Sequence, residues 1–285
     1  MIEQISVLET AIGEKIVSSK PVGGGCIADS KIIETLSGKK YFLKSYSDSH
    51  ANILKNEANG LKEIARSKSI KVPEVILQNE SHLLLEFIES GKRGSTFSEK
   101  FGRQFARMHK TTSDSFGFYE NNFIGANPQI NLPQRKNWTE FYWENRLLFQ
   151  YKLAERNGYS DSEFKTLFNK LEKALPQILD GTEEKPTLLH GDLWSGNYLV
   201  DTEGNPVLID PAVYYGHREA DLGMTLLFGG FDSMFYKAYD EEFPLVYGWR
   251  DRMDLYKLYH VINHLNLFGA GYYSQTVSII KKYTG

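Results

Sequence analysis

Cysteine is nearly absent from the 285-residue chain: Cys26 stands alone. That excludes an internal disulfide framework and suits a reducing compartment. No apolar run approaches the ~20 residues needed to cross a bilayer. The opening MIEQISVLETAIGEK carries acids where a secretory signal needs an apolar stretch. A basic excess is missing too. Lys and Arg number 33 against 36 Asp and Glu, for a net charge of −3, so neither nucleic acid nor a membrane surface is an expected partner. Internal repeats and low-complexity tracts are absent as well. What remains is the expectation of a cytoplasmic protein in water, whose 41% hydrophobic content can build a sizeable core.

The apolar residues that are present change their period along the chain. Up to about residue 90 they alternate as in strands. KIIETL and KYFLKSY flank a turn at SGKK, and EVILQ and HLLLEFI flank a turn at NES. Between these hairpins one helix is expected over residues 51–67, with Leu54, Ala58, Leu61 and Ile64 on a common face. The Gly- and Ser-rich ESGKRGSTFS reads as a hinge. Beyond it helical spacing dominates, over residues 99–111, 138–156, 161–179 and 251–268. The expectation is an α+β chain of two lobes: residues 1–88, small, β-rich and nucleotide-binding, and residues 89–285, larger, mainly helical and catalytic.

The stretch LLHGDLWSGNYLVDTEGNPVLIDPA (residues 188–212) interrupts the helical region. If YLV pairs with VLI as a hairpin, Asn197 falls opposite Asp210. Facing residues of such a ladder lie about 4.5–5.5 Å apart. An amide oxygen and a carboxylate there suit Mg²⁺, which takes a few protein oxygens and fills its shell with phosphate oxygens. Asp192, in the preceding loop, is placed to act as base. Asp and Asn are also common turn residues, so neither type alone points to chemistry. The joint spacing D-x₄-N-x₁₂-D after His-Gly is that of kinase-fold phosphotransferases.

Such a site requires a strand Lys paired with a helix Glu to hold ATP phosphates. Lys44 in YFLKSY and Glu57 on the next helix meet that requirement. A Glu on that helix's apolar side would be costly to bury without a cation. A loop that covers the phosphates is expected in PVGGGCIADS, where Gly23, Gly24 and Gly25 let the backbone approach. In LLLEFIE, the backbone of Glu86 and Ile88 is expected at the adenine edge. G-x-x-x-x-G-K-[ST] is absent. So is A-P-E after Asp210, which leaves no room for a long peptide-docking segment and points to a smaller acceptor.

HGDLWSGN, IDPA, GGGC and NFIG…PQ.N…NW together resemble fructosamine kinase, also called ketosamine-3-kinase. This family lies in the aminoglycoside-phosphotransferase and choline-kinase-like branch of the two-lobed protein-kinase-like fold. The resemblance runs over nearly the whole chain. It implies ATP- and Mg²⁺-dependent phosphorylation of the O3 hydroxyl of a ketosamine, free or on a protein lysine. A phosphate at C3 leaves once the neighbouring carbonyl enolises, so the product releases the amine and the activity amounts to deglycation. By motif, Asp192 would be the base, Asn197 and Asp210 the metal ligands, and Lys44 with Glu57 the phosphate clamp.

Several residues carry two readings. Trp194 is either a core anchor or a flat platform for a sugar or an amine beside the base. His260, Asn263 and His264 form a polar stripe on an otherwise apolar helix, and His264 is the one placed at the acceptor. Glu219 and Asp221 are expected to fix local backbone. Cys26 is either inert or a redox-sensitive thiol that would link two otherwise monomeric chains. Two other functions remain open: a kinase for a choline-, aminoglycoside- or homoserine-like acceptor, and a pseudokinase used as a binding module.

Overall fold

Strand β3 (Lys40–Ser45) frames the N-terminal part of the molecule. Its Tyr41 and Leu43 turn into a core, and Lys44 takes the opposite face. The computed structural model describes residues 2–22, 29–46 and 51–285. β3 lies at the centre of a five-stranded antiparallel sheet of order β1 (Ile16–Pro21), β2 (Asp29–Thr35), β3, β5 (His82–Glu86), β4 (Val75–Gln78). Helix α2 (Ala51–Arg66) buries Leu54, Ala58, Leu61 and Ile64, the stripe expected from spacing. One further helix, α1 (Ile2–Ile12), corrects the expectation of a single helix in this region. Its Leu8 joins Ile33, Tyr41, Leu43 and Leu84 in the core, whereas Ile5 and Val7 point outward and blur the apolar period.

The chain divides into two units, Met1–Phe97 with Tyr198–Pro211, and Ser98–Asn197 with Ala212–Gly285. The first boundary therefore falls beyond residue 88. The hairpin of β9 (Tyr198–Val200) and β10 (Pro206–Leu208) clusters with the N-terminal unit. Local contacts explain this. Leu208 donates its amide to the Lys71 carbonyl at 2.9 Å, and Gly91 donates to the Val200 carbonyl at 2.8 Å. Phe97 stacks on Tyr198 with ring centroids 6.0 Å apart, and Arg93 bonds the Tyr198 hydroxyl.

The hairpin register differs from the expected one by one residue. Tyr198 pairs with Leu208, so the ladder does not set Asn197 opposite Asp210. The turn decides this. The Asp201 carboxylate accepts the amides of Glu203 and Asn205 at 3.0 and 2.8 Å, and Asp201 itself donates to the Asn205 carbonyl. That closure at residues 201–205 fixes every pair below it.

The second unit is mainly helical. It runs through α3 (Phe97–His109), α6 (Ser162–Ile178), α7 (Glu219–Leu227), α8 (Ser233–Glu242), α9 (Trp249–Phe268) and α10 (Tyr273–Thr284). The helix expected over residues 138–156 is α4 (Trp138–Phe141) and α5 (Phe149–Arg156) joined by a π-helical stretch, Tyr142–Leu148. Two short ladders complete the unit. They pair β6 (Asn122–Ile124) with β7 (Asn127–Gln129), and β8 (Thr187–Leu189) with β11 (Tyr214–Gly216). Among the described residues no helix is long and apolar enough to cross a membrane.

The approach of Gly91 to the hairpin is close enough to test. A Cβ there would run into the backbone of Asp201 and Thr202. Gly91→Ala is expected to cost about 1–3 kcal/mol of stability, read as a lower denaturation midpoint at unchanged slope. A loss below about 0.5 kcal/mol, the range of neutral surface changes, would refute this account of how the hairpin is held.

Candidate active site

In the first unit the site is built around one ammonium. Alternation along β3 turns Lys44 away from the Tyr41–Leu43 core, and α2 presents Glu57 one turn after Leu54. Lys44 Nζ donates to Glu57 Oε1 at 2.7 Å and also to the Asp210 carboxylate. The Lys44 and Glu57 side chains are each 11% exposed, against 44% for Asp210. Burial alone would lower the Lys44 pKa, but the two facing carboxylates hold it above the usual lysine value. Burial pushes the Glu57 carboxyl up to about 7 against the pull of Lys44, and the charge of Asp210 adds to the push. Among the described residues one cation faces two carboxylates here, which leaves the cluster a positive charge short. Asp210 adopts a φ of 53°, a left-handed backbone rare outside glycine. Such conformations persist only where surrounding contacts hold them.

In the second unit the centre is the loop after β8. Asp221, fully buried at the start of α7, accepts the amides of His190 at 2.7 Å and Gly191 at 2.8 Å. His109 Nε2 lies 3.1 Å from the same carboxylate, and its Nδ1 lies 2.6 Å from the Tyr239 hydroxyl. Burial would raise the Asp221 pKa, but these partners hold it below the ordinary value, so the group is a carboxylate. It fixes a backbone far away in sequence rather than the local one expected. Glu219 holds the Arg252 guanidinium in a two-point pair at 2.6 and 2.8 Å.

Asp192 follows directly from that anchored backbone. Asn197 closes the loop by donating its amide to the Asp192 carbonyl at 2.8 Å and to Oδ2 at 3.2 Å. Among the described residues its carbonyl oxygen has no hydrogen-bond partner, so the Asn197 side chain touches the proposed base through nitrogen and offers oxygen elsewhere. Leu193 is fully buried while Trp194 is 37% exposed, so Leu193 anchors the loop and the indole faces out. The Trp194 ring covers Gly196, where a Cβ would strike it. Trp194 meets Phe228 edge-on at 5.9 Å, and Phe228 meets His264 at 5.2 Å. His264 Nδ1 lies 2.7 Å from the His260 carbonyl, and burial lowers its pKa, which leaves a neutral ring. Of the helical stripe only His264 reaches this surface. Asn263 accepts from Asn127 and Gln150, and His260 is buried.

Some expected site residues are placed differently or lie outside view. Gly23, Gly24, Gly25 and Cys26 lie outside the described residues. The Glu86 amide donates to the Glu74 carbonyl at 2.8 Å, so at an adenine edge it could offer only its carbonyl. Ile88 makes no backbone hydrogen bond among the described residues. Sequence reasoning missed His109 and the reach of Asp221, because their partners are remote in the chain. The acid in the segment READLG after IDPA was the available signal.

The sign of the Glu57 shift makes a prediction. A carboxyl whose folded pKa rises from 4.5 to about 7 binds more protons folded than unfolded. Its contribution to stability therefore falls as pH rises from 4.5 to 7 and is level above. Glu57→Gln lacks this term, so its stability relative to the parent is expected to improve across that window. Denaturant melts at pH 5, 6, 7 and 8 would show it, and a difference that is flat or declines with pH would contradict it.

The geometry can now be set beside known proteins. The fructosamine kinase family model matches residues 1–284. The chain is 40% identical to the chloroplastic protein-ribulosamine 3-kinase of Arabidopsis thaliana, over 97% of this chain and 86% of that protein. It is 32% identical to a crystal structure of a fructosamine-3-kinase candidate from Thermobifida fusca, with a TM-score of 0.89 over 98% of this chain and 97% of that one. Choline kinase LicA of Streptococcus pneumoniae shares the fold at 14% identity, with a TM-score of 0.66 over 99% of both chains. The chain thus has a protein-kinase-like phosphotransferase fold, and a kinase of this kind uses ATP. The chain belongs to the fructosamine kinase family.

Proposed function

We propose that this kinase transfers the γ-phosphoryl group of ATP to the O3 hydroxyl of a ketosamine, free or carried on a protein lysine, with Asp192 as the base. One observation carries the reading: an acidic side chain tied to Asn197 on a loop pinned by Asp221, with the Trp194 indole turned outward two residues on. The names of the Arabidopsis and Thermobifida proteins point to the same substrate class.

Asp192 accepts the proton of the attacking hydroxyl, or orients it, and Asn197 keeps the carboxylate aimed. Such positioning is the main contribution a protein makes to phosphoryl transfer. Lys44, fixed by Glu57, binds the phosphates. The backbone of Ile88 and the Glu86 carbonyl serve the adenine edge. The donor set fits Mg²⁺. Asp210 offers a half-exposed carboxylate in a cluster short of positive charge, and Asn197 has an uncommitted amide oxygen. Both are hard oxygen donors, too few to hold the ion without phosphate oxygens, which is the usual Mg²⁺ arrangement. Bound there, the cation would neutralise charge on those phosphates.

On the acceptor side, Trp194 and Phe228 offer aromatic surface, and His264 offers a neutral ring whose Nε2 has no hydrogen-bond partner among the described residues. A ketosamine suits this surface, since it joins a sugar C–H face to an ammonium. The lone Cys26 fits a reducing compartment. The cytoplasm is one such compartment, and the Arabidopsis relative is named for the chloroplast.

Asp192→Ala is expected to fold with an unchanged melt and to lose about 10²–10⁴-fold in kcat on ribulosamine- or fructosamine-lysine. Near-parental turnover would remove Asp192 from the role of base. Choline and an aminoglycoside serve as control acceptors, and preference for either over every ketosamine would overturn the substrate class. Trp194→Ala should raise the acceptor KM roughly tenfold, the worth of one aromatic contact, while the ATP KM stays put. Equal changes in both KM values would make Trp194 a structural residue.

A further inference from the structure

The segment NFIG…PQ.N, which the catalytic reading leaves without a task, forms a closed polar network in the second unit. Gln129 is 1% exposed, and each of its amide atoms has a use. Its Nε2 donates to the Ala212 carbonyl and to Asn122 Oδ1, both at 2.9 Å, and its Oε1 accepts the Tyr259 hydroxyl at 2.9 Å. Asn122 in turn donates to the Val213 carbonyl at 2.7 Å. Behind them Asn131 donates to Asn122 Oδ1 at 2.9 Å and accepts from Arg146 at 2.7 Å. The Arg146 guanidinium, fully buried on the π-helical stretch, lies 3.9 Å from the centre of the Tyr214 ring.

This network ends on main chain, at Ala212 and Val213. Those residues follow Asp210 after a single proline. The Ala212 amide donates to the His190 carbonyl at 2.9 Å. Gly191, with a φ of 84°, lies so close to the Ala212 carbonyl that a side chain would not fit. Asp221 therefore holds the backbone of His190 and Gly191 on one side, and Ala212 meets it on the other. A buried carbonyl that loses its donor costs about 1–3 kcal/mol, so Gln129 adds to the hold that the His190 carbonyl has on Ala212.

We propose that Gln129 is a positioning residue for phosphoryl transfer, setting the backbone of residues 212–213 and through it the Asp192 loop. The proposal rests on the role given to Asp192 above. Gln129 touches no substrate. It acts by fixing one carbonyl, and Asn122, Asn131 and Arg146 keep its amide from turning.

The test uses the full chain. Gln129→Met keeps the volume and removes both donors. Tyr259→Phe removes only the hydroxyl that orients the amide. Leu171→Ala, at a buried position of α6 that takes no part in these hydrogen bonds, is the control for stability alone. Gln129→Met is expected to lose at least tenfold in kcat with both KM values within twofold. Its peptides covering residues 188–194 and 210–216 should exchange amide hydrogens faster than the parent without nucleotide. Tyr259→Phe should move the same way by a smaller factor, which keeps the test alive if Gln129→Met does not fold. A kcat loss no greater than that of Leu171→Ala, or unchanged exchange in both peptides, would overturn the proposal. If the parent turned over no ketosamine, the preceding reading would fall instead, and the exchange result would still decide this one.

Discussion

A carboxylate buried without a partner costs several kcal/mol, comparable to a domain's whole stability margin. This chain buries Glu57 and Asp221 beside its working loops, and the two are matched in opposite ways. Asp221 is met by two backbone amides and an imidazole, and stays ionised with a lowered pKa. Glu57 shares the Lys44 ammonium with Asp210, and burial raises its pKa. The loop held by Asp221 is thereby fixed before any ligand arrives. The cluster around Lys44 is left short of positive charge, a condition that a divalent cation on Asp210 would relieve. The loop that carries Asp192 is held by matched partners, whereas Lys44 faces two carboxyl groups at once.

The parts of this arrangement that were legible in the sequence depend on local spacing. Lys44 on a strand and Glu57 on the following helix follow from alternation and from the Leu54–Ala58–Leu61 stripe, and the structure pairs them at 2.7 Å. The hairpin after Asn197 was legible as a hairpin, but not in register, because the Asp201 side chain decides where the turn closes. Helix α1 escaped because two of its apolar residues face outward. Asp221 and Gln129 escaped for a different reason. Each acts on main-chain groups tens of residues away, and no periodicity encodes a bond to a remote carbonyl or amide.

The left-handed backbone of Asp210 belongs with these illegible features. Nothing in IDPA announces it. It is intelligible only beside the contacts that hold its flanks: the Lys44 ammonium on its side chain, and the network that grips residues 212–213 after one intervening proline. Strain of this kind survives where neighbouring bonds outweigh it, so a strained acid between two sets of fixed partners marks a geometry that packing alone would not choose.

The likeness to choline kinase LicA shows how little the fold says about the acceptor. A two-unit frame can hold a Lys–Glu pair and a base loop for many alcohols. The difference must lie in side chains that the frame does not need. Leu193 and Trp194 divide those duties at adjacent positions. The buried leucine secures the loop, so the indole is not required as an anchor and stands 37% exposed against Phe228. An indole left partly in water two residues after Asp192 adds less to folding than a buried one would. On the ketosamine reading proposed above, the acceptor would cover it, since a sugar joined to an amine has both the flat C–H face and the positive charge to do so.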